Sequence, residues 1–364
     1  MTRLLATLLL GITVVSPLAA HAAESGEPLR VGVAEAEITP PEGFPMAGYY
    51  HERLALGQRD PLKAKAIVFR QGETSAAMVV ADLTGIARDL CVEVRKRASA
   101  QTGIPEQHIV VSATHSHTAP DYTGHLYEYL GADPKTAESQ PYAAKLIDGI
   151  VAAIVAADSD ARPASIAAGS AEQVFPVSFN RRFVMRDGSV QTWQSYANQN
   201  VIRAAGPIDP EISLLTIRSD ADEAPRGVLS SFALHLDTVG GQQWSADYPY
   251  FIEQALRKKL GEQVISVFGI GACGDINHSD PSHKDRNKTD VIGNALAATI
   301  EAALPNLPSV ADTAFQVRSA TVGFPLQAVT QAQLDRAAEL IPAAKAGEKV
   351  DFFDLVAAYK AVML

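Results

Sequence analysis

The chain has 364 residues, 47% of them apolar and 20% charged, proportions that fit a soluble globular protein with a substantial core. Lys and Arg total 31 against 41 Asp and Glu, a net charge of −10, which argues against a nucleic-acid partner, since that would need a basic surface to neutralise phosphates. No segment reaches 18 uninterrupted apolar residues, so no transmembrane span is expected, and no basic run beside an apolar span suggests anionic-lipid binding.

The first residues, "MTRLLATLLLGITVVSPLAAHAAES", carry one basic residue (Arg3), an apolar run from Leu4 to Val15, and Ala20-His21-Ala22 as an A-x-A cleavage signal. This pattern predicts a secretory signal peptide over residues 1–22 and a secreted or periplasmic location for the remainder. "AAMVVADL" (76–83) reads as a buried strand ending near Asp82, followed by a helix over 86–98 with Leu90, Cys91 and Val94 in its apolar stripe. "HIVVSAT" (108–114) is the next strand. After a polar loop at 131–141, a helix over 142–158 places Leu146, Ile147, Ile150, Val151 and Ile154 on one face. A hairpin-type turn is expected at 219–227, then buried strands at 227–235 and 263–271 with a helix over 249–260 between them. A surface loop at 279–289 precedes a helix over 290–304. The tail after Pro325 is mostly helical and stops without a cap or breaker, as if the chain were cut short. Such alternation predicts an α/β fold, a largely buried mixed sheet flanked by helices, with the active-site loops at strand ends.

Three strand ends carry polar residues that a buried strand does not need. "SATHSH" gives His115 and His117, "FALHLDTVGG" gives His235 and Asp237, and "FGIGACGDINHSD" gives Asp275, Asn277 and His278 on a Gly-rich turn. In α/β sheets ligands gather at the carboxyl ends of strands, so these loops are candidates to meet over one pocket. Alternate residues of an extended segment point the same way, so His115 and His117 can face one cavity. Neutral imidazoles are good zinc ligands, and a catalytic zinc takes about three protein ligands plus an open position. The competing reading of each histidine is a hydrogen-bonded core residue. Asp82 is a candidate either to orient a histidine or to cap a helix, and Asp247 to cap the helix after it. His51, His108 and His283 are expected at the surface. Cys91 and Cys273 read as two separate thiols, a bridge being the alternative.

These residues belong to a longer series of likenesses. "VGVAEAEITPPEGFPMAGYY" (31–50), "RDPLKAKAIVF" (59–69), "VSATHSHTAP" (111–120), "NRR" (180–182), "GPIDPEISLLTIR" (206–218), "FALHLDTVGGQQWSADYP" (232–249) and "GACGDINHSD" (271–280) follow one another as in the neutral/alkaline non-lysosomal ceramidase family, which the chain resembles. The resemblance implies a zinc amidase that splits an N-acyl lipid, with His115 and His235 as zinc ligands and His117 beside the metal's water. Arg181 would hold the oxyanion or the substrate. Residues 23–364 would form a ceramidase-like catalytic domain. Two departures stand out. The family carries a catalytic serine in its Gly-rich turn where this chain has Asn277, an amide that is no nucleophile but can donate a hydrogen bond to an oxyanion. The family's further zinc ligands, a glutamate and a tyrosine, and its C-terminal immunoglobulin-like domain belong to a later segment that this sequence does not reach. The expected function is therefore hydrolysis of a linear amide by metal-activated water. The other readings are a same-fold hydrolase of another ester or amide, and a non-catalytic binding protein with an incomplete metal site.

Overall fold

The computed structural model describes residues 26–51, 53–123, 136–219, 224–283, 286–310 and 314–363; the expected signal peptide lies outside the described residues. In chain order the elements are β1 (Arg30–Glu37), β2 (Lys63–Gln71), β3 (Thr74–Ala81), α1 (Arg88–Thr102), β4 (Ile109–Ala113), α2 (Thr136–Ser159), β5 (Arg162–Glu172), β6 (Phe179–Asn180), β7 (Arg182–Met185), β8 (Val190–Thr192) and β9 (Val201–Ala204). They continue with β10 (Glu211–Ser219), β11 (Gly227–Phe232), α3 (Tyr248–Leu260), β12 (Ile265–Ile270), β13 (Ile276–Asn277), α4 (Thr289–Ala303), α5 (Gln331–Lys345) and α6 (Phe352–Met363). Helix α2 starts before the expected position, so residues 136–141 are helical rather than loop.

Eight strands form one mixed sheet in the order β12-β11-β10-β5-β1-β2-β3-β4. Only β3 with β4 and β11 with β12 run parallel; the other neighbours are antiparallel. The seam between β1 and β5 holds by two residue pairs, Arg30 with Pro163 and Val31 with Arg162. At that seam the sheet folds over, so that β12 touches β1, β2, β3 and β4.

Period-two alternation along the strands builds the layers. Ala64, Ala66 and Val68 of β2 and Ala77, Val79 and Ala81 of β3 face α1 and α2. Their neighbours Ile67 and Val80 face inward with Val31 and Val33 of β1, against Ile217 of β10 and Val267 of β12. On the far side, Ile212, Leu214, Val228 and Phe268 pack under α3 and α4. The result is four layers, helix–sheet–sheet–helix, around a shared apolar seam. Helices α5 and α6 pack on one another through Leu340, Ile341 and Tyr359. They meet the rest of the chain where Phe352 and Tyr359 reach Tyr50, and where Phe352 and Phe353 reach Trp193.

The two parallel pairs position the site. Both run in one direction only because a helix crosses back between their strands, α1 for β3 and β4, α3 for β11 and β12. Their carboxyl ends deliver Asp82–Thr84, His115, His235 and the 271–277 turn. Asp247 caps α3 as expected, its side chain accepting from Tyr248 N, with Pro249 in the first turn.

Candidate metal centre

His115 follows β4 with its backbone at φ 71, a conformation costly for a side chain with a Cβ. Two bonds hold it there. Its N–H donates to Leu83 O at 2.8 Å, and its Nδ1 lies 2.7 Å from Thr84 O. The second contact requires Nδ1–H, which leaves the Nε2 lone pair outward. His235 repeats the device, with Nδ1 3.2 Å from Cys273 O. His117 is fixed through its backbone instead: its N–H donates to Leu236 O at 2.9 Å, and its carbonyl accepts from Arg53 Nη2 at 2.6 Å. Its Nδ1 makes no hydrogen bond among the described residues.

The three rings converge. His117 Nε2 is 3.4 Å from His115 Nε2 and 3.1 Å from His235 Nε2, and the His115 and His235 ring centroids are 4.7 Å apart. All three nitrogens lie within 4.8 Å of one another. Two nitrogens bound to one tetrahedral zinc at about 2.0–2.1 Å are about 3.3–3.4 Å apart, close to the two distances from His117 Nε2, so this nitrogen-only set suits a zinc ion. Burial, with the neighbouring His235 next, pushes the His117 pKa down to about 3. Burial also lowers that of His235. Both rings are therefore neutral at pH 7, the form that offers a lone pair.

The surrounding loops press in closely. Gly48, at φ 99, leaves no room for a Cβ, which would lie 2.7 Å from His117 Cα and Cβ, so the 44–50 turn lies directly against His117. Tyr49 stands edge-on to His117, centroids 5.7 Å apart, under the Arg53 guanidinium at 4.1 Å. Ser116 and Thr118 hydroxyls donate to Ser245 O at 2.7 and 3.0 Å, and Ser245 Oγ donates to Asp60 at 2.7 Å. Asp237 sits beside the trio with His278 Nδ1 3.5 Å away. Burial opposes its ionisation, yet His278, His235 and His117 together hold its pKa down to about 2.

Arg181 and Asn277 line a cleft of about 250 Å³ next to the histidines. The 273–275 turn joins the two places. Cys273 O holds His235, Gly274 O accepts from Arg181 Nη2 at 2.7 Å, and Asp275 O accepts from Arg181 N at 2.7 Å. Asn277 is buried on β13, which pairs with β6 just ahead of Arg181. The sequence-predicted residues thus fall into a three-histidine centre and a cleft flanking it.

Other expectations need correction. Asp82 neither caps α1 nor bonds a histidine: its Oδ2 accepts from Lys63 N at 2.9 Å, and α1 begins after Ala87. His108 is half-buried, with Nδ1 3.0 Å from Ser75 O, whereas His51 and His283 are exposed. Cys91 and Cys273 are unbridged, as expected of two separate thiols. Sequence reasoning missed Tyr49, Arg53 and the carbonyls of Thr84 and Cys273. A backbone acceptor has no residue-type signature.

Four packed layers with imidazole nitrogens gathered at the carboxyl ends of two parallel strand pairs define an α/β protein with a three-histidine group that could hold a metal ion. The sequence profile described as neutral/alkaline non-lysosomal ceramidase, N-terminal, matches residues 29–277, and the chain belongs to that family. Its structure is similar to that of neutral ceramidase from Pseudomonas aeruginosa, with TM-score 0.62 and 20% identity over 78% of this chain and 46% of that one. It is also similar to a ceramidase complexed with C2, with TM-score 0.62, 21% identity, 78% of this chain and 45% of that one. At these identities the likeness is one of fold. The chain spans under half the length of these solved relatives. No curated protein matches it.

Proposed function

We propose that this chain forms the catalytic part of a zinc-dependent hydrolase that cleaves a linear N-acyl amide, on a lipid or lipid-like substrate, outside the cytoplasm. Export rests on the leader pattern of residues 1–22. The observation that carries the reading is the convergence of three imidazole nitrogens, two of them held lone-pair-outward by backbone carbonyls. His115 and His235 hold the ion, and zinc there would supply Lewis acidity and a water acidified to a pKa of about 7.

The chain's own residues supply the rest. His117 keeps an unanchored Nδ1, so its tautomer is free to change, and it carries the proton between the attacking water and the departing nitrogen. Arg181 and Asn277 donate to the carbonyl oxygen as charge develops on it. A C–O bond forms and the C–N bond breaks. The carboxylic acid leaves with the water's oxygen and the amine leaves with the proton. Asn277 at the turn favours this route over a serine nucleophile, since an amide cannot attack.

The test is hydrolysis of a fluorogenic ceramide analogue and a panel of other N-acyl compounds, with zinc content measured alongside. Chelation should abolish turnover and zinc should restore it. A protein that takes up no zinc, or turns over unchanged after chelation, would reject the reading in favour of a binding protein.

A further inference from the structure

The cleft beside the histidines is built for charge. Two of its lining residues are arginines, Arg181 and Arg286. Arg286 is exposed and forms no ion pair or hydrogen bond among the described residues. Arg181 spends one Nη on Gly274 O and lies 5.8 Å over the Trp193 ring, but no carboxylate pairs with it among the described residues. Among the described residues the one acidic residue lining the cleft is Asp280, whose carboxylate accepts from Ser282 N at 2.8 Å and meets His283 Nδ1 at 2.8 Å. Asp275, close by, is taken by Asn180 Nδ2 at 2.8 Å. Ser279 Oγ, also lining the cleft, is buried without a hydrogen-bond partner. Two guanidinium groups that meet no carboxylate among the described residues thus present open N–H donors at one cleft.

The arginines also flank the centre. Burial foremost raises the Tyr49 phenol, Asp237 next adds to this, and Arg286 is near enough to oppose it. Burial foremost lowers His235, Asp237 next opposes this, and Arg181 is near enough to add to the lowering. Tyr49 and His235 touch His117 from two sides.

We propose that this cleft receives an anionic group, a carboxylate or a phosphate, carried on the amine side of the N-acyl substrate, with Arg286 as its counter-charge, Arg181 beside it serving the carbonyl oxygen, and Ser279 Oγ as a further donor. The proposal rests on the hydrolase reading and names the substrate class within it. Planar guanidinium donors suit either oxyanion, and Trp193 supports the Arg181 plane beneath.

The test uses zinc-loaded protein and three matched amides: N-dodecanoylglycine, N-dodecanoyl-O-phosphoethanolamine and neutral N-dodecanoylethanolamine. We expect kcat/KM for a charged amide to exceed that for the neutral one by about 10- to 100-fold, the scale of one charge-assisted hydrogen bond. Which charged amide leads separates carboxylate from phosphate. Arg286→Gln should collapse the charged-to-neutral ratio towards one, chiefly through KM, and Arg286→Lys should keep part of it. Binding of the same amides is followed by Trp193 fluorescence, the chain's other tryptophan, Trp244, being buried. A charged-over-neutral preference in binding without turnover would uphold the cleft and reject the hydrolase. Equal binding and equal turnover of all three, unchanged in Arg286→Gln, would overturn the cleft and leave the hydrolase standing.

Discussion

At His115 the chain accepts a left-handed backbone conformation that costs of the order of 1–3 kcal/mol, and the return is a ring aimed at His117 and His235. If His235 holds the ion and His117 carries the proton, their losses should differ in kind. His235→Ala should lose both zinc and turnover, whereas His117→Ala should keep zinc stoichiometry and lose about 10²–10⁴-fold in kcat. Zinc titration of both variants checks this, and equal loss of zinc in the two would make His117 a third ligand. Asn277 allows a second comparison. Asn277→Ala should lower kcat by about 10²-fold, the usual loss for one oxyanion donor, and Asn277→Ser should give no gain. A large gain in the serine variant would reassign the nucleophile. The three histidines were legible because their position at strand ends is visible in residue types; the alternation expected of an extended segment does not hold, since His115 is left-handed and β4 ends at Ala113. Arg286 was not, because its meaning lies in the carboxylates that fail to meet it.

Among the elements, the edges of the sheet were legible and its middle was not. β3, β4, β11 and β12 are short apolar runs. By contrast, β1 and β2 carry Glu35, Lys63 and Lys65 on one face, and β5, "RPASIAAGSAE", has a proline at its second position and is rich in alanine. Charges at buried strand positions hide the period, and they are tolerated here because they pair with a helix from the other half of the molecule. Asp82, just past β3, shows the cost of such burial: desolvation raises its pKa to about 6, though Lys65 opposes this. An unfolded aspartate titrates near pH 3.9, so the folded state binds more protons between these values. The stability this group contributes is present below about pH 3.9 and is lost as pH rises through about 6. Asp82→Asn, which keeps an acceptor for Lys63 N, should therefore raise stability at pH 7 by about 1–3 kcal/mol, with the gain vanishing near pH 4. Denaturant melts at the two pH values measure it.

For the whole molecule, the centre depends on the two halves of the sheet staying closed. Strands β1 and β5 share only two residue pairs, so other contacts must hold the halves together. One is apolar, the seam of Val31, Ile67, Val80, Ile217 and Val267. The other is ionic: Glu253 of α3 meets Lys63 at 2.8 Å, Arg257 at 3.0 Å and Lys65, while Glu35 meets Lys63 at 2.7 Å and Arg257 at 2.8 Å. Burial opposes the Glu253 charge, but Lys65 and Lys63 together bring its pKa down to about 2. An unfolded glutamate titrates near pH 4.3, so this stabilisation is complete above that value and is lost as pH falls towards about 2. Glu253→Gln strands the lysines and should cost about 3–5 kcal/mol near neutral pH. The gap to wild type should close between about pH 4.3 and 2, and turnover in the variant should fall with the opening of the halves. A variant as stable as wild type at pH 7 would show that the apolar seam suffices.

The orienting groups at the centre are peptide carbonyls, Thr84 O for His115 and Cys273 O for His235. A carbonyl is present whatever the side chain, so the identity of residue 273 places no demand on how His235 is aimed. Cys273→Ala should keep zinc uptake and turnover near wild type, as zinc titration and kinetics would show. Sequence at such a position is free to drift while the chemistry stays where it is.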